Sequence, residues 1–96
     1  ARAGFKVLIP EATTNVIGYR LLQAGQVNEA IEVFRRNVDT YPHSANVYDS
    51  LGEALERAGQ LDAARDNYQR AFAIGRESGD PNTNIYKTNA ERVARK

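Results

Sequence analysis

The sequence predicts an all-α fold of five helices, arranged as two helix–turn–helix repeats and a C-terminal capping helix. Three observations predict it: the chain repeats itself at an offset of 34 residues, its apolar residues recur at helical spacing, and a glycine divides each copy in two. We expect no strand. The only candidate is the short run over 5–9, which we interpret as an extended lead-in or part of a joint to a neighbouring domain.

The repeat is visible residue by residue. The pairs that match at the 34-residue offset are Ile17-Gly18 with Leu51-Gly52, Leu21 with Leu55, Ala24-Gly25-Gln26 with Ala58-Gly59-Gln60, Ala30 with Ala64, and Phe34 with Tyr68. In each copy the apolar members form one stripe before the glycine and another after it, as expected of two amphipathic helices.

We therefore predict helices over 11–24, 27–40, 45–58, 61–76 and 81–94. Gly25 and Gly59 separate the paired helices, because glycine adopts the left-handed conformation that reverses the chain. Ser44 is expected to cap the third helix with its hydroxyl. Asp80 is the expected N-cap of the fifth helix, with Pro81 at its first position, where a missing N–H costs nothing.

Composition excludes several classes of function. Thirteen basic against twelve acidic residues give a net charge of +1, too little to predict binding to nucleic acid or to a membrane surface. The longest apolar run, 7–9, is far too short to span a bilayer. We expect a soluble chain, with cytoplasm and periplasm both compatible. Because it begins with Ala1 and lacks a signal-like segment, we expect it to be processed or excised from a longer protein.

The sequence offers almost no catalytic chemistry. Without cysteine there is no disulfide, thiolate zinc site or cysteine nucleophile, and the single histidine, His43, lies in a predicted loop where we expect it to be solvated. No nucleophile-elbow, Ser-x-x-Lys or phosphate-binding glycine motif occurs. We expect no enzymatic activity, no cofactor and no metal.

The period and the small residues near the middle of each helix resemble the tetratricopeptide repeat over about 11–76. The resemblance implies a right-handed α-solenoid, with a lead-in over 1–10, repeats over 11–44 and 45–78, and a capping helix over 79–96. It assigns the repeat signature to Gly18, Gly25, Ala30, Phe34, Pro42, Gly52, Gly59, Ala64, Tyr68 and Ala71. Gly18 and Gly52 would face Ala30 and Ala64 at the helix crossings, with the aromatic residues filling the space between.

Three residues depart from the family pattern: Thr14 stands in place of a large aromatic, Asn37 in place of alanine, and Arg76 in place of proline. We expect the Asn37 amide to bond the turn or the first helix of the next repeat. The last departure predicts that the fourth helix runs on toward Gly79. Residues 37–54 also resemble the short repeat appendage at the C-terminal end of some bacterial serine hydrolases.

The resemblance places a ligand-binding groove along the first helix of each repeat. Carried over by position, its wall comprises Ala12, Asn15, Tyr19, Leu22, Gln23, Asn46, Asp49, Glu53, Glu56 and Arg57, closed by the last helix around Thr83, Asn84 and Lys87. Asp49, Glu53 and Glu56 share one side of a helix. Three interpretations of these carboxylates are open. They form a solvated helix face, they contact a ligand, or they act as paired catalytic or cation-binding carboxylates.

The carboxylate clamp of the family, which binds chaperone tails, is not expected here. The clamp requires basic residues at some of its positions, and in this sequence none of those positions is basic. They hold Asn15, Tyr19, Ser50, Asp80 and Asn84. A Lys- or Arg-containing peptide suits the acidic groove better. The basic residues near the C-terminus are expected to stabilise the last helix through its dipole.

The sequence therefore predicts a non-catalytic module that binds a peptide or protein segment in this groove. The alternative is a structural or oligomerisation appendage of a larger, possibly hydrolytic, protein. Since two and a half repeats are near the lower limit for a stable solenoid, weak self-association is a further expectation.

Overall fold

The computed structural model describes residues 9–96, which form five α-helices and no strand. The helices are α1 (Glu11–Gln23), α2 (Val27–Thr40), α3 (Ala45–Arg57), α4 (Leu61–Ser78) and α5 (Thr83–Ala94). Helices α1 and α2 form one hairpin, α3 and α4 a second, and α5 packs on α4. This confirms the predicted all-α class. None of these helices is long and apolar enough to cross a membrane.

The two hairpin turns have the same geometry. Gly25 and Gly59 lie at φ +82° and +80°, in the left-handed region that side chains with a Cβ disfavour. The residue after each glycine donates its backbone N–H to a helix carbonyl five positions earlier, Gln26 to Leu21 at 2.9 Å and Gln60 to Leu55 at 3.0 Å. The predicted role of the two glycines is confirmed.

Each hairpin crosses where a glycine lies against an aromatic ring. A Cβ built on Gly18 would lie 2.3 Å from the ring of Phe34, and one on Gly52 would lie 2.8 Å from the ring of Tyr68. Both rings are fully buried. The expectation that the aromatic residues fill the space at these crossings is therefore confirmed, because their rings occupy the room that the missing Cβ leaves.

The fourth helix continues to Ser78, as the absence of proline at Arg76 predicts, and ends at Gly79 with φ +72°. The fifth helix begins at Thr83, two residues after the predicted start. Asp80 does not cap it: its Oδ1 accepts the Asn82 backbone N–H at 2.8 Å, which makes a turn that delays the helix until Thr83.

The start of α1 is held by side chains from the α2–α3 junction, which also corrects two expectations. Asn37, buried in α2, donates from Nδ2 to the Glu11 carbonyl at 3.1 Å, so it bonds the first helix of its own repeat rather than the next one. Ser44 precedes α3 but makes no capping bond. Its hydroxyl donates instead to the Glu11 carboxylate at 2.8 Å.

The core runs through both hairpins and continues under α5. Its larger cluster comprises Leu22, Ala30, Ile31, Phe34, Leu51, Ala54, Leu55, Ala64, Tyr68, Ala90 and Val93. Ile17, the counterpart of Leu51, is 43% exposed and does not belong to it. The predicted apolar stripe of α1 is therefore incomplete as core, because no described element covers that side of the first helix.

Candidate partner-binding groove

Three helices contribute polar side chains to one continuous surface. Helix α3 lies between α1 and α5, and its side chains bond to both neighbours. We call this surface the groove and define it by Asn15, Tyr19, Asp49, Glu53, Glu56, Asn89 and Arg92. Its members come from the matching helices of successive repeats, so the 34-residue period places them side by side.

Helices α1 and α3 are joined by two hydrogen bonds between side chains. The Tyr19 hydroxyl donates to Glu53 Oε1 at 2.8 Å, and the buried Ser50 hydroxyl donates to Asn15 Oδ1 at 2.6 Å. Burial raises the pKa of Tyr19 above its ordinary value, and the neighbouring carboxylate Glu53 adds to that shift. The phenol is therefore a neutral donor that fixes the position of Glu53.

Helices α3 and α5 are joined by an ion-pair cluster. Arg92 Nη2 lies 2.6 Å from Glu56 Oε1, and Lys96 Nζ lies 2.7 Å from Glu56 Oε2. The Tyr68 hydroxyl also donates to Glu56 Oε1, at 2.8 Å. The Arg92 bond, with those of Lys96 and Tyr68, lowers the pKa of Glu56 to about 2. Glu56 is therefore ionised, and its negative charge is balanced by Arg92 and Lys96.

Asp49 is in a different position. It is half-buried, and its Oδ1 accepts one bond from Asn89 Nδ2, at 2.9 Å. Among residues 9–96 no lysine or arginine lies within ion-pair distance of Asp49 or of Glu53. Burial raises the pKa of Asp49 above its ordinary value, and the nearby charge of Glu53 raises it further. The middle of the groove therefore carries two carboxylates that have no ion-pair partner among residues 9–96, and only the more distant charge of Arg92 acts on Asp49.

One end of the groove deepens into a depression of about 420 Å³. Its lining residues are Glu53, Glu56, Arg57, Tyr68, Asn89, Arg92 and Lys96. On one side of the depression lies Glu53, whose carboxylate has no ion-pair partner among residues 9–96. On the other side lies the ion-pair cluster of Glu56. The groove thus presents an acidic middle and an end of mixed charge.

The predicted wall residues lie in different places. Asn15, Tyr19, Asp49 and Glu53 come together in the groove, and Arg57, which lines the depression at its end, donates to the Leu22 carbonyl at 3.1 Å. Gln23 and Asn46 are exposed. Leu22 is buried in the core instead. Lys87 is about 200° around α5 from Asn89 at 100° per residue. It therefore lies away from the α5 side that meets α3.

Sequence reasoning missed three residues at this end of the molecule. Asn89 and Arg92 of α5, and Lys96 just after its end, all bond α3. A signal was present in their spacing, since 89 and 92 share one helix face and Arg92 and Lys96 bring positive charge to an acidic row. The helix dipole alone does not account for these contacts.

The residues 9–96 contain no cluster of three or more His, Asp or Glu side chains that could hold a metal ion. His43 is exposed in the loop between α2 and α3. Asp80, at one of the carboxylate-clamp positions, accepts bonds from the Asn82 backbone and, at 3.0 Å, from the Tyr86 hydroxyl. An acidic side chain at that position would repel the carboxylate of a chaperone tail, so the absence of such binding stays a prediction.

Comparison with known proteins agrees with this architecture. The tetratricopeptide repeat family model matches residues 11–77. A solution NMR structure of a tetratricopeptide repeat domain protein from Salinibacter ruber is similar with a TM-score of 0.81 and 21% identity, covering 92% of this chain and 90% of that one. A crystal structure of a tetratricopeptide repeat domain protein from the same organism gives 0.78 and 22%, covering 88% and 97%.

A comparison with curated protein sequences finds no match. The structural likenesses establish the fold, and the family match extends over most of the chain. Repeats of this family generally serve as protein–protein interaction modules. The 34-residue period, the glycine-divided hairpins and the family match together place this chain in the tetratricopeptide repeat family.

Proposed function

We propose that this chain is a non-catalytic interaction module whose groove binds an extended protein segment carrying a lysine or arginine. The observation that supports it best is the pair Asp49 and Glu53. These carboxylates lie four residues apart on one side of α3 and have no cationic partner among the described residues. A cation from a partner would supply the missing charge.

The contrast with Glu56 supports this choice of ligand. Glu56 is three residues from Glu53, yet it is saturated by Arg92, Lys96 and Tyr68. Glu56 is therefore already paired with cations of this chain, and that pairing stabilises the fold. Holding Asp49 half-buried without a cation costs folding free energy, and recovering that cost on binding favours a cationic partner.

Other polar groups in the groove suit an extended backbone. Asn15 accepts a hydrogen bond through Oδ1, so its Nδ2 is available to donate to a partner carbonyl. Asn46 and Gln23 are exposed and offer further amides on α3 and α1. Affinity would come from several such contacts, since an exposed ion pair contributes only about 0–1 kcal/mol.

The non-catalytic part of the proposal rests on how the reactive groups are used. Ser50 is buried and donates to Asn15, and the tyrosine hydroxyl of Tyr19 donates to Glu53. His43 is exposed in a loop and makes no side-chain hydrogen bond within residues 9–96. The buried serine thus has an amide rather than a base as its partner, and the histidine does not belong to the groove.

The test is isothermal titration calorimetry with random-sequence peptide pools enriched in lysine and arginine, compared with pools enriched in aspartate and glutamate. We expect binding of the basic pool, weakened by added salt because the contacts are electrostatic. The double variant Asp49→Asn with Glu53→Gln should lower the affinity about 5- to 20-fold, corresponding to up to about 1 kcal/mol for each carboxylate.

The matched control is Asp66→Asn with Glu32→Gln, which removes the same charge from exposed positions on α4 and α2. It should leave the affinity within about twofold, because those residues lie outside the groove. Equal loss in the groove and control variants, or preference for the acidic pool, would contradict the proposal.

A structural or oligomerisation appendage is the second candidate, and one observation favours it: the first helix exposes an apolar surface away from the groove. The resemblance of residues 37–54 to the appendage of serine hydrolases stays a prediction.

A further inference from the structure

We propose that the partner segment bound in the groove carries an acidic side chain as well as a basic one, with one residue between them. The basic residue lies over Asp49 and Glu53, and the acidic residue enters the depression at the end of the groove. This inference rests on the proposed function, because it names a second charge of the same ligand.

The depression carries more positive than negative charge. Its lining includes three cationic side chains, Arg57, Arg92 and Lys96, against the carboxylates of Glu53 and Glu56. A partner cation that pairs with Glu53 leaves only Glu56 to balance the three. The bound basic residue therefore increases the excess of positive charge in the depression, and a partner carboxylate offsets it.

Glu56 does not need both of its cationic partners. Arg92 donates to both carboxylate oxygens, from Nη2 to Oε1 at 2.6 Å and from Nε to Oε2 at 3.2 Å. This bidentate pair already balances the charge of Glu56, so Lys96, at 2.7 Å, brings a positive charge in excess. Among residues 9–96 the Lys96 ammonium makes one hydrogen bond, which leaves two of its three donors for a partner.

Arg57 supplies a second available cation. It is exposed, donates from Nη2 to the Leu22 carbonyl at 3.1 Å, and lies within ion-pair distance of no carboxylate of residues 9–96. A guanidinium has five N–H donors, and those not used on Leu22 can meet a carboxylate. Arg57 ends α3 and Lys96 follows α5, so cations from two helices line one cavity.

Asn89 holds the acidic and the cationic parts of the groove side by side. Its Nδ2 donates to Asp49 Oδ1 at 2.9 Å, and its Oδ1 accepts from Arg92 Nη1 at 2.8 Å. One side-chain amide thus spans the boundary between the two parts. A ligand that uses both parts therefore carries its opposite charges close together in sequence.

The helix geometry of α3 gives the spacing of those charges. Glu53 and Arg57 are four residues apart, which is about 6 Å along the helix axis. In an extended segment the side chains on one side recur at every second residue, about 6.8 Å apart. A basic and an acidic residue separated by one residue therefore match Glu53 and Arg57. Adjacent charges point to opposite sides and do not match.

Chemical-shift titrations of the full chain with four peptide pools test the proposal. Each pool has capped ends, which remove the terminal charges, and random uncharged residues around a fixed Lys-x-Glu, Glu-x-Lys, Lys-x-Gln or Lys-Glu sequence. Both orders are included because the groove can be followed in either direction. One of the first two pools should bind about 3- to 10-fold more tightly than Lys-x-Gln, and Lys-Glu should bind no more tightly than Lys-x-Gln.

The double variant Arg57→Gln with Lys96→Gln is the sharpest test, because its two expected effects have opposite signs. Removing the excess positive charge should abolish the gain from glutamate and raise the affinity for the Lys-x-Gln pool. The matched control is Arg36→Gln with Lys87→Gln, which removes two positive charges from exposed positions on α2 and α5 outside the groove. It should leave the gain from glutamate unchanged.

The outcomes separate this inference from the proposed function. If Lys-x-Gln binds in the groove and glutamate adds nothing in either order, this inference alone fails. If no lysine-containing pool binds, the proposed function fails and this inference fails with it. A gain from glutamate that survives in Arg57→Gln with Lys96→Gln would also overturn the inference, because the two cations would then have only a structural role.

Discussion

The Tyr19 hydroxyl of the first repeat donates a 2.8 Å hydrogen bond to the Glu53 carboxylate of the second, 34 positions along the chain. This bond ties together the two repeats and holds one of the groove carboxylates in place. Glu53 is therefore positioned before any partner arrives, so less side-chain freedom is lost on binding.

Removing that hydroxyl should lower both stability and binding. Tyr19→Phe is expected to reduce the free energy of unfolding by about 0.5–1.5 kcal/mol, because Glu53 loses a part-buried donor. Urea denaturation measures the change. Tyr41→Phe is the control, since its hydroxyl makes an exposed bond to the Ile9 carbonyl and should matter less. A larger loss at Tyr41 would contradict the importance assigned to the Tyr19 bond.

The cluster around Glu56 predicts a dependence of stability on pH. The pKa of Glu56 is about 2 in the folded state, below its ordinary value of 4.5. The contribution of the ionised Glu56 to the free energy of unfolding is therefore fully present above about pH 4.5 and disappears as the pH falls toward 2. Glu56→Gln should lower the free energy of unfolding by about 1–2 kcal/mol at neutral pH, a value reduced by solvent screening of the half-exposed Arg92 and Lys96.

Urea titrations at a series of pH values test the sign as well as the size. The difference between Glu56→Gln and the unchanged chain should shrink as the pH falls from about 4.5 to about 2. A difference that stayed constant over that range would mean that the cluster does not stabilise the fold through the charge of Glu56.

Asp49 should behave in the opposite way. Burial raises its pKa, so its ionisation at neutral pH costs folding free energy. Asp49→Asn keeps an oxygen to accept the Asn89 bond and should raise the free energy of unfolding. The gain should be present at neutral pH and vanish below about pH 3.8, where Asp49 is protonated in both states.

Comparing thermal or urea stability with binding for the same variant then separates two roles. A more stable Asp49→Asn chain with weaker binding to basic peptides would identify Asp49 as a residue kept for its partner. A destabilised variant would instead mean that Asp49 is structural.

Alanine in place of the glycines at the two hairpin crossings should lower the free energy of unfolding by unequal amounts. Gly18→Ala places a Cβ 2.3 Å from the buried Phe34 ring, and Gly52→Ala places one 2.8 Å from the Tyr68 ring. Overpacking costs about 1–3 kcal/mol, partly offset by about 1 kcal/mol of helix propensity. We expect both variants to be destabilised, Gly18→Ala more. The double variant Gly18→Ala with Phe34→Leu should recover part of that loss, and no recovery would contradict the contact.

The parts of this fold that depend on local pattern could be predicted from the sequence. The helical spacing and the turns at Gly25 and Gly59 determine both hairpins, because those signals act within a few residues. The start of α5 could not be predicted in this way. It depends on where α4 ends at Gly79 and on the turn that Asp80 makes with Asn82, two competing local choices.

The groove was predictable in part for a similar reason. Repeat periodicity brings Tyr19 beside Glu53 without knowledge of the structure. The pairing of Glu56 with Arg92 and Lys96 depends on how α5 packs beside α3, which no local pattern in the sequence determines. Which carboxylates stay without a cation therefore emerges only from the packed structure.

The most direct measurement is a chemical-shift titration of the full chain with the basic peptide pool, followed for each backbone amide. Binding in the groove predicts the largest shifts at Asn15, Tyr19, Asp49, Glu53 and Asn89, abolished by Asp49→Asn with Glu53→Gln. Shifts confined to α2 and α4, or shifts that persist unchanged in the double variant, would contradict the assignment of the groove as the binding surface.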